Sequence, residues 1–438
     1  MRAIPYSPLA VMSAILMLLV LSCGCGDYVP NHDIIVIALH PDGTEAWSRI
    51  IDTGYDDVAS DIIETGTGDL TIAAGNATGK YRSTTPELIR LSRGGTVIAE
   101  IPCPALHGEL TALIKTGDGN LSAATYDGRV GRFDPYGNVV GVTDTGMTGV
   151  WSLAPGPDGG VAAAGALSQL YPAGSVASYS ENGSVSPRAP LANETVETPG
   201  CRETVLEAGD KKIPVTECVS PYRTAEQAAV TLTARNGTIL WQRGYGAYGP
   251  ESAWSIAAGE GGDGYYIDAQ GPAEGGGIAH RTAFLHIREN GSVDWIAEGE
   301  PVVLWYPAQW DVSGGRVRAI IPAQHTDGNS SIVIRPAVVT FGENGTITDR
   351  QDLVAVSRIV IPTADGGYFS AGFSSAKEGS AYRDTGAYGG DVAHALKVRA
   401  DGSREWETAI TDVRPDTIEK VIQTSDGGYV ILATRQNR

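Results

Sequence analysis

Three groups of residues in this chain have types and spacing that could do chemistry. The first is GEGGDG at 259–264, which matches the GxGxxG pattern that binds dinucleotide phosphates at the start of a helix. The second is the acidic pair Asp56-Asp57, which could bind Ca²⁺ together with backbone carbonyls. The third is a set of Tyr-Arg and similar pairs, whose rings and cations suit a planar or anionic ligand, a sugar or a partner loop.

The local context removes most of this chemistry. GEGGDG lies in a hairpin turn with no helix after it, so a dinucleotide site is not expected. Asp56-Asp57 is more typical of a solvated turn, which leaves calcium as the alternative to having no cofactor. The sequence contains no GxSxG, no HExxH and no paired CxxC motif. We therefore predict no catalytic residue and no metal site.

The N-terminus predicts export and a lipid anchor. An apolar run at 9–21 is too short to span a bilayer as a helix but is typical of a signal peptide. VLSC at 20–23 resembles a lipobox, which implies that Cys23 is lipidated. Cys25 is the alternative modified cysteine, and an ordinary cleaved signal peptide is the alternative to lipidation. We expect a signal peptide at 1–22, a tether at 23–33, and attachment to the outer face of the cytoplasmic membrane or to the cell envelope.

Export also places the other cysteines in an oxidising compartment. Cys201 and Cys218 flank a segment whose midpoint, Gly209-Asp210, is a natural turn. A hairpin there would put the two cysteines opposite each other, so we predict a disulfide between them. Cys103 is then left over and is predicted to be a buried apolar residue.

Charge and sequons bear on possible partners. The formal net charge is −19, and an acidic surface repels phosphate backbones, so nucleic acid is not an expected partner. Four Asn-x-Ser/Thr sequons coincide with Asn-Gly turns, which hairpin chemistry explains without glycans. The other four are predicted glycosylation sites in an exported protein, at Asn76, Asn120, Asn193 and Asn329.

The organisation that must position all these residues is a repeat. Two hairpin phrases alternate along the chain, typified by IALHPDGTEAW and QTSDGGYVIL, and eight copies of each are found. The Asn-Gly and Asp-Gly turns of the first phrase favour type I′ turns, in which both central residues have positive φ. One copy of each phrase supplies four short strands, which is the content of a β-propeller blade.

The two ends of the chain predict how the repeat closes. The chain begins with the first phrase and ends with the second. In a ring these half-blades would pair and leave no open edges at the termini. We therefore predict an all-β fold, a single eight-bladed β-propeller over 34–434, closed by pairing the N-terminal and C-terminal half-blades. Seven blades is the alternative, because the third and sixth repeats are degenerate.

These phrases resemble the secreted or lipid-anchored propellers of bacteria and archaea with tandem DGGyvvaG and DGxxxW repeats. Those proteins belong with the quinoprotein-dehydrogenase-like and WD40-like propellers. The resemblance implies the fold but not the activity, because such families contain enzymes and assembly scaffolds. We favour a non-catalytic binding or assembly module. The alternative is a quinoprotein-like propeller enzyme that acts on sugars or alcohols.

Connection lengths predict the working surface. Both repeated turns are short, so the insertions collect in the connections between second and third strands and between blades. These connections share one side of the disc, which we call the long-loop face, and loops on a rigid scaffold often carry function. A protein or carbohydrate partner is expected there, unless the Tyr and Arg side chains only pack the loops. The candidate residues are Tyr81, Arg82, Tyr222, Arg223, His280, Arg281, Trp305, Tyr306, Tyr382 and Arg383.

Tryptophans are predicted to pack blades together. Trp47, Trp241, Trp295 and Trp406 occupy one repeat position, which indicates blade-to-blade packing rather than a ligand site. Trp151, Trp254 and Trp310 begin copies of the second phrase and are predicted to pack as well.

Overall fold

The computed structural model describes residues 31–66, 68–78, 83–172, 176–179, 185–188, 200–208, 211–219, 222–245, 252–272, 280–299, 307–326, 332–353, 359–374 and 392–437. The predicted signal peptide and the cysteines Cys23 and Cys25 lie outside these ranges. Within them, no helix has the length and apolar character that crossing a membrane requires.

The described residues form antiparallel four-stranded sheets, which are the blades of a propeller. Each blade is given from its innermost to its outermost strand. Blade one is β3 (Asp56–Glu64), β4 (Leu70–Thr78), β5 (Ser83–Leu91) and β6 (Val97–Pro102). Blade two is β7 (Leu110–Lys115), β8 (Leu121–Thr125), β9 (Arg129–Phe133) and β10 (Val139–Asp144). Blade three is β11 (Gly149–Pro155), β12 (Val161–Pro172), β17 (Tyr222–Thr233) and β18 (Ile239–Gly244).

The remaining blades have the same plan. Blade four is β19 (Ser252–Ala258), β20 (Tyr265–Pro272), β21 (His280–Ile287) and β22 (Val293–Glu298). Blade five is β23 (Gln309–Ser313), β24 (Arg316–Thr326), β25 (Ile332–Phe341) and β26 (Ile347–Asp352). Blade six is β27 (Val360–Pro362), β28 (Tyr368–Ser374), β29 (Val392–Val398) and β30 (Arg404–Ile410). Blade seven is β31 (Thr417–Gln423), β32 (Tyr429–Gln436), β1 (His32–Leu39) and β2 (Glu45–Ile51).

Two extra hairpins leave blade three between its second and third strands. They are β13 (Val176–Tyr179) with β14 (Val185–Arg188), and β15 (Gly200–Ala208) with β16 (Lys211–Val219). The prediction of eight blades is therefore corrected to seven blades in the described residues, which was the alternative. The reason is that β12 and β17 pair directly from Val161–Thr233 to Pro172–Tyr222, so the phrase copies between them join no four-stranded sheet.

Blade seven confirms the predicted closure of the ring. Its inner strands β31 and β32 come from the C-terminus and its outer strands β1 and β2 from the N-terminus, and β1 pairs with β32 along its whole length. The innermost strands also touch in a closed series, β31, β3, β7, β11, β19, β23, β27 and back to β31. The chain is thus a ring and not an open solenoid.

Apolar packing between neighbouring blades holds the ring together. In the described residues there is one buried apolar cluster at each of the seven blade-to-blade interfaces. The middle strands of a blade are therefore buried on both faces, which explains why strands such as β1 and β8 are almost continuously apolar rather than alternating. Cys103 belongs to the cluster between blades one and two, where it is fully buried as predicted, and burial raises the pKa of its thiol to about 11.

The predicted packing role of the four equivalent tryptophans is confirmed. Each indole lies on the glycine that ends the outer turn of the next blade, and Trp47 Nε1 also donates to Arg93 O across 2.9 Å. Where the fourth residue after the turn glycine is not Trp, a side chain two positions further along the strand makes the contact. The seven contacts are Trp47–Gly95, Ile101–Gly137, Thr143–Gly237, Trp241–Gly291, Trp295–Gly345, Gln351–Gly402 and Trp406–Gly43.

The turns differ from the predicted type I′ geometry. Gly43 N bonds to His40 O and His40 N bonds to Thr44 O, while Gly43 has φ +84°. Outside the glycines, only Asp158 and Arg414 have positive φ among the described residues. The outer turns are therefore type I turns followed by a left-handed glycine and a bulge. The bulge accounts for the register shift that follows each of them, as at Ala38/Leu39.

Candidate functional site

The blade plan places the turns between first and second strands, and between third and fourth strands, at one end of the strands. First and second strands, and third and fourth strands, are joined by short hydrogen-bonded turns, as at Thr65–Asp69 and Ser92–Thr96 in blade one. Second-to-third and blade-to-blade connections therefore emerge on the opposite face, which is the long-loop face of the sequence prediction. Most residues of the longer connections lie outside the described ranges, at 79–82, 173–175, 189–199, 246–251, 273–279, 300–306, 327–331, 354–358 and 375–391.

The predicted binding pairs divide into two groups. Tyr222-Arg223 and His280-Arg281 begin β17 and β21, which are the third strands of neighbouring blades, and both pairs lie at the long-loop end. Arg281 Nη2 lies 3.3 Å from Glu298 Oε1. Three further pairs lie outside the described residues and stay predictions: Tyr81-Arg82, Trp305-Tyr306 and Tyr382-Arg383.

An acidic cluster occupies the long-loop end of the seam between blades seven and one. One carboxylate oxygen from each of Asp33, Asp52 and Asp57 lies within 4.8 Å of the other two. Asp33 is the second residue of β1, Asp57 is the second residue of β3, and exposed Asp52 lies on the connection between the two blades. The cluster therefore forms because the ring closes here.

Cationic and polar groups stabilise the two buried members of this cluster. Asp33 is 1% exposed and accepts hydrogen bonds from Arg435 Nη2 (3.0 Å) and Asn437 Nδ2 (2.5 Å). Asp57 is fully buried and accepts from Thr53 N (2.9 Å) and the Thr53 hydroxyl. Asp33 is thus neutralised by an arginine, whereas Asp57 depends on neutral donors.

Burial therefore perturbs the acids on the blade-one side of the seam. Burial raises the pKa of Asp57, and the charges of Asp52 and Asp33 act in the same direction. Burial, followed by the charges of Glu100 and Asp57, raises the pKa of Glu87 to about 7. In the orientation that satisfies its amide, Asn76 Nδ2 donates to Asp57 Oδ1 (2.7 Å) and Glu87 Oε1 (3.2 Å).

The donor set of the cluster is of the type that Ca²⁺ prefers, since all the groups are oxygen ligands. Asp57 is one member of the pair Asp56-Asp57 from which the sequence raised calcium, whereas Asp56 instead bonds His32 Nδ1 across 2.5 Å. Each buried carboxylate of the three already has protein donors, so the acids are satisfied in part without a cation. Calcium therefore stays the untested alternative to the predicted absence of a cofactor.

A row of aromatic rings lies on blades two to four. The rings of Trp151 and Trp254 stack with centroids 5.3 Å apart and planes 12° from parallel. Tyr126 meets Trp151 edge to face at 4.9 Å. Tyr126 lies in the second-to-third connection of blade two and is 59% exposed, while both tryptophans are partly exposed. We call these three residues the aromatic row.

Backbone irregularities aim the two tryptophans. They lie on the innermost strands β11 and β19, at register shifts Val150/Ser152 and Ala253/Ser255. A bulge of this kind turns a side chain out of the regular alternation. The Trp151 ring also lies over Gly149, where a Cβ would be 2.6 Å from the ring. Any larger residue at 149 would displace the ring, so the local backbone preorganises the row.

The aromatic row was missed by the sequence interpretation, which assigned all three second-phrase tryptophans to packing. Trp310 does pack among Tyr266, Phe284 and Phe341 in the core between blades four and five. The sequence did contain a signal for the pairing of Trp151 and Trp254. Both tryptophans stand at the same position of the second phrase, in repeats that form neighbouring blades. Tyr126 carried no sequence signal, because it follows an ordinary strand.

Other sequence predictions have mixed outcomes. GEGGDG forms the β19–β20 turn, with a short 3₁₀ turn at Glu260–Gly262 and a strand rather than a helix after it. Cys201 and Cys218 are paired opposite each other in the β15–β16 register, which the hairpin prediction requires, and the disulfide itself stays a prediction. The amide of Asn120 bonds Asp118 Oδ2 (3.2 Å), and Asn193 and Asn329 lie outside the described residues. Glycosylation of these sites and of Asn76 stays a prediction.

Comparison with solved structures finds similarity to propeller domains. The chain is similar to the WD40 domain of Neurospora crassa Pan2, with 9% identity, a TM-score of 0.45, and coverage of 86% of this chain and 88% of that one. It is also similar to the Dos1 propeller, with 9% identity, a TM-score of 0.42, and coverage of 86% and 92%. No protein-family model and no curated protein matches the chain.

Proposed function

We propose that this protein is a non-catalytic binding or assembly module, exported and lipid-anchored at Cys23, that engages a protein or carbohydrate partner through its long-loop face. We place its origin among the bacterial and archaeal propellers that its repeats resemble. A propeller is consistent with such a module, because the fold offers a rigid disc on which loops form a binding surface. The observation that carries the proposal is the aromatic row.

The row has the properties of a binding surface rather than of a core. Core aromatics of this protein, such as Phe284 and Phe369, are almost fully buried, whereas Tyr126 is mostly exposed although it contacts Trp151. Exposed, preorganised aromatic side chains are enriched at the centres of interfaces, and they also stack on sugar rings. The row faces the same side as the Tyr-Arg and His-Arg pairs that begin β17 and β21.

The test compares two tyrosines of similar exposure on opposite faces. Tyr126→Ala removes the exposed end of the row, and Tyr136→Ala is its matched control, because Tyr136 is 70% exposed in the β9–β10 turn of the same blade. Affinity capture from an envelope extract and binding to a glycan array are measured for both variants. We expect Tyr126→Ala, and separately a triple replacement of Arg82, Arg223 and Arg383 by Ala, to reduce capture about tenfold. Unchanged capture by both, against a wild type that captures a partner, would refute the proposal.

The anchor is tested separately from binding. Mass spectrometry of the mature protein is expected to find a lipidated N-terminal cysteine, and Cys23→Ala is expected to move the protein from the membrane fraction. Retention of the lipid in Cys23→Ala and its loss in Cys25→Ala would assign the modification to Cys25 instead. A mature protein without lipid would leave the binding proposal standing and remove the anchor.

A further inference from the structure

Three sequons lie on exposed outer turns of neighbouring blades. Asn236 stands in the β17–β18 turn of blade three, Asn290 in the β21–β22 turn of blade four, and Asn344 in the β25–β26 turn of blade five. Each is followed by Gly and then by Ser or Thr, and all three asparagines are exposed. These turns join third and fourth strands, so they lie on the outer rim of the face opposite the long-loop face. The sequence interpretation set them aside, because a hairpin turn by itself explains Asn-Gly.

The turn uses the side-chain oxygen of each asparagine and not its nitrogen. Asn290 Oδ1 accepts from Ser292 N (2.9 Å) and from the Ser292 hydroxyl (2.7 Å). Asn344 Oδ1 accepts in the same way from Thr346 N (3.2 Å) and the Thr346 hydroxyl (2.7 Å). The same backbone contact is 3.0 Å long in the blade-three turn. None of the three Nδ2 atoms bonds a residue in the described part of the chain.

Aspartate at the same position of other blades shows that the turn does not need an amide nitrogen. In blade seven Asp42 Oδ1 accepts from Thr44 N (3.0 Å) and the Thr44 hydroxyl (2.6 Å). In blade six Asp401 Oδ1 accepts from Ser403 N (2.9 Å). Aspartate and asparagine therefore build the same turn through one oxygen. Turn chemistry accounts for that oxygen and for the glycine, and it leaves the three exposed amide nitrogens without a structural role.

The sequons at Asn76 and Asn120 have the opposite properties. In the orientation that satisfies its amide, Asn76 Nδ2 donates to two buried carboxylates of the acidic seam. Asn120 Nδ2 donates to Asp118 Oδ2 (3.2 Å), and Ser122, which supplies the hydroxyl of that sequon, is fully buried in β8. Attaching a bulky group to either amide would break these contacts, because the nitrogen already has a partner within the fold.

We propose that Asn236, Asn290 and Asn344 carry N-linked glycans, a modification that rests on the proposed export of the protein. The donor is a lipid-linked oligosaccharide of the envelope, from which a transferase moves the glycan. Nδ2 bonds the anomeric carbon of the first sugar, and the bond from that carbon to the lipid phosphate oxygen breaks. The phosphate leaves with the electron pair, and Nδ2 gives up one proton to a base of the transferase. Nothing is oxidised or reduced.

The position of these glycans bears on where a partner binds. They project from the rim of blades three, four and five at the tight-turn end of the strands, whereas Tyr222-Arg223 and His280-Arg281 lie at the long-loop end. A glycan is bulky and hydrophilic, so it keeps other macromolecules away from the surface that it covers. The modification therefore leaves the long-loop face free and makes the opposite rim of these three blades unavailable to a partner.

Glycopeptide mapping of the full mature protein, isolated from its native envelope, tests the assignment. We expect occupancy at the three turn sequons to exceed that at Asn76 and Asn120 by about tenfold or more, because only the turn amides are exposed and unengaged. The proposal is overturned by a protein without glycan at the turns, by higher occupancy at Asn76 or Asn120, or by a protein that keeps residues 1–22. Absence of glycans would leave the binding proposal standing, since capture by Tyr126→Ala tests that separately.

Two variants of one sequon test the acceptor without disturbing the turn. Asn290→Asp keeps the oxygen that accepts from Ser292, as Asp42 does in blade seven, and removes the nitrogen. We expect it to lose the mass of one glycan and to keep the circular dichroism of the wild type. Ser292→Ala should lose the same glycan, whereas Ser403→Ala, at the same turn position beside Asp401, is the control that should lose none. A full glycan complement in both blade-four variants would show that the glycan is attached elsewhere and would overturn the assignment.

Discussion

The glycine that ends each outer turn is the single residue on which packing between blades depends most directly. At Gly345 the backbone has φ +80°, and the six-membered ring of Trp295 lies where a side chain would begin. Two independent requirements, positive φ and close approach, thus coincide at one position. This explains why Asn-Gly and Asp-Gly recur in the sequence, although the turns are not type I′.

We predict that Gly345→Ala destabilises the protein by about 2–4 kcal/mol, since it adds a clash with Trp295 to the cost of positive φ. A Cβ at Gly345 would lie 2.5 Å from the indole. Gly366→Ala is the matched control, because Gly366 has φ +81° but its Cβ would meet nothing closer than 3.8 Å. That control is expected to cost about 1–2 kcal/mol. Denaturant unfolding of both variants measures the difference, and equal losses would remove the close-approach argument.

Burial of the Asp268 carboxyl is expected to make the stability of the protein depend on pH. It is 1% exposed, its Oδ2 accepts from Ala308 N (2.8 Å) and Gln270 Nε2 (3.0 Å), and its Oδ1 has no partner among the described residues. Burial raises the pKa of Asp268 to about 7. A raised pKa in the folded state adds stability that is fully present below the unfolded pKa, near 4, and is lost as pH rises through 7.

We therefore predict that Asp268→Asn changes the pH profile rather than the fold. The wild type should lose on the order of 2–4 kcal/mol relative to Asp268→Asn between pH 5 and pH 8, because only the wild type must keep a buried carboxylate ionised at pH 8. Chemical unfolding at the two pH values measures this. Glu343→Gln, at an exposed outer turn, is the control and should follow the wild type. Parallel profiles for wild type and Asp268→Asn would contradict the prediction.

At the scale of elements, the strands and hairpins could be predicted because each phrase carries its own turn chemistry. The inserted hairpins could not be assigned correctly, because their phrases look like half-blades. Their position depends on a non-local contact. Strand β12 pairs with β17 through twelve residue pairs, and this pairing leaves the inserted hairpins outside the four-stranded sheet. The bulges that orient Trp151 and Trp254 could not be predicted from the repeated phrases either, because a register shift depends on the partner strand.

The contacts between strands β1 and β32 of blade seven could not be predicted from either end of the sequence alone. Arg435 and Asp33 meet across it although they lie at opposite ends of the chain, and Asp33 is almost fully buried. Removing the cation leaves a buried carboxylate without its counter-charge. That is more costly than losing an ion pair at the surface.

We predict that Arg435→Met lowers the free energy of unfolding by about 3–5 kcal/mol. Arg93→Met removes a cation that joins blade one to blade seven as the partner of Asp426, and both members of that pair are well exposed. This control should cost about 0–1 kcal/mol. Thermal and denaturant unfolding distinguish the two. Similar losses of unfolding free energy for both variants would mean that burial of Asp33 does not make its ion pair with Arg435 stronger than an exposed one.

At the scale of the whole molecule, ring closure is the property that the sequence predicted best and the blade number the one it predicted least well. Closure follows from the phrases at the two ends, because half-blades must pair somewhere. The number of blades depends on which internal phrases enter the ring, and this is decided by the length of the β12–β17 ladder. The acidic cluster was partly visible, as Asp56-Asp57. Asp33 and Arg435 join it only because the ring closes.

A deletion distinguishes seven blades from eight. Replacing residues 173–221 by a short Gly-Asn turn joins Pro172 to Tyr222, which already pair at the end of the β12–β17 ladder. All seven interface clusters are built from residues outside this segment. The shortened protein should therefore keep its near-UV circular dichroism and unfold cooperatively. Its thermal unfolding midpoint should lie within about 5 °C of that of the wild type. If the two hairpins were instead a blade of the ring, the deletion would leave neighbouring faces uncovered. Loss of cooperative unfolding would therefore contradict the seven-blade ring.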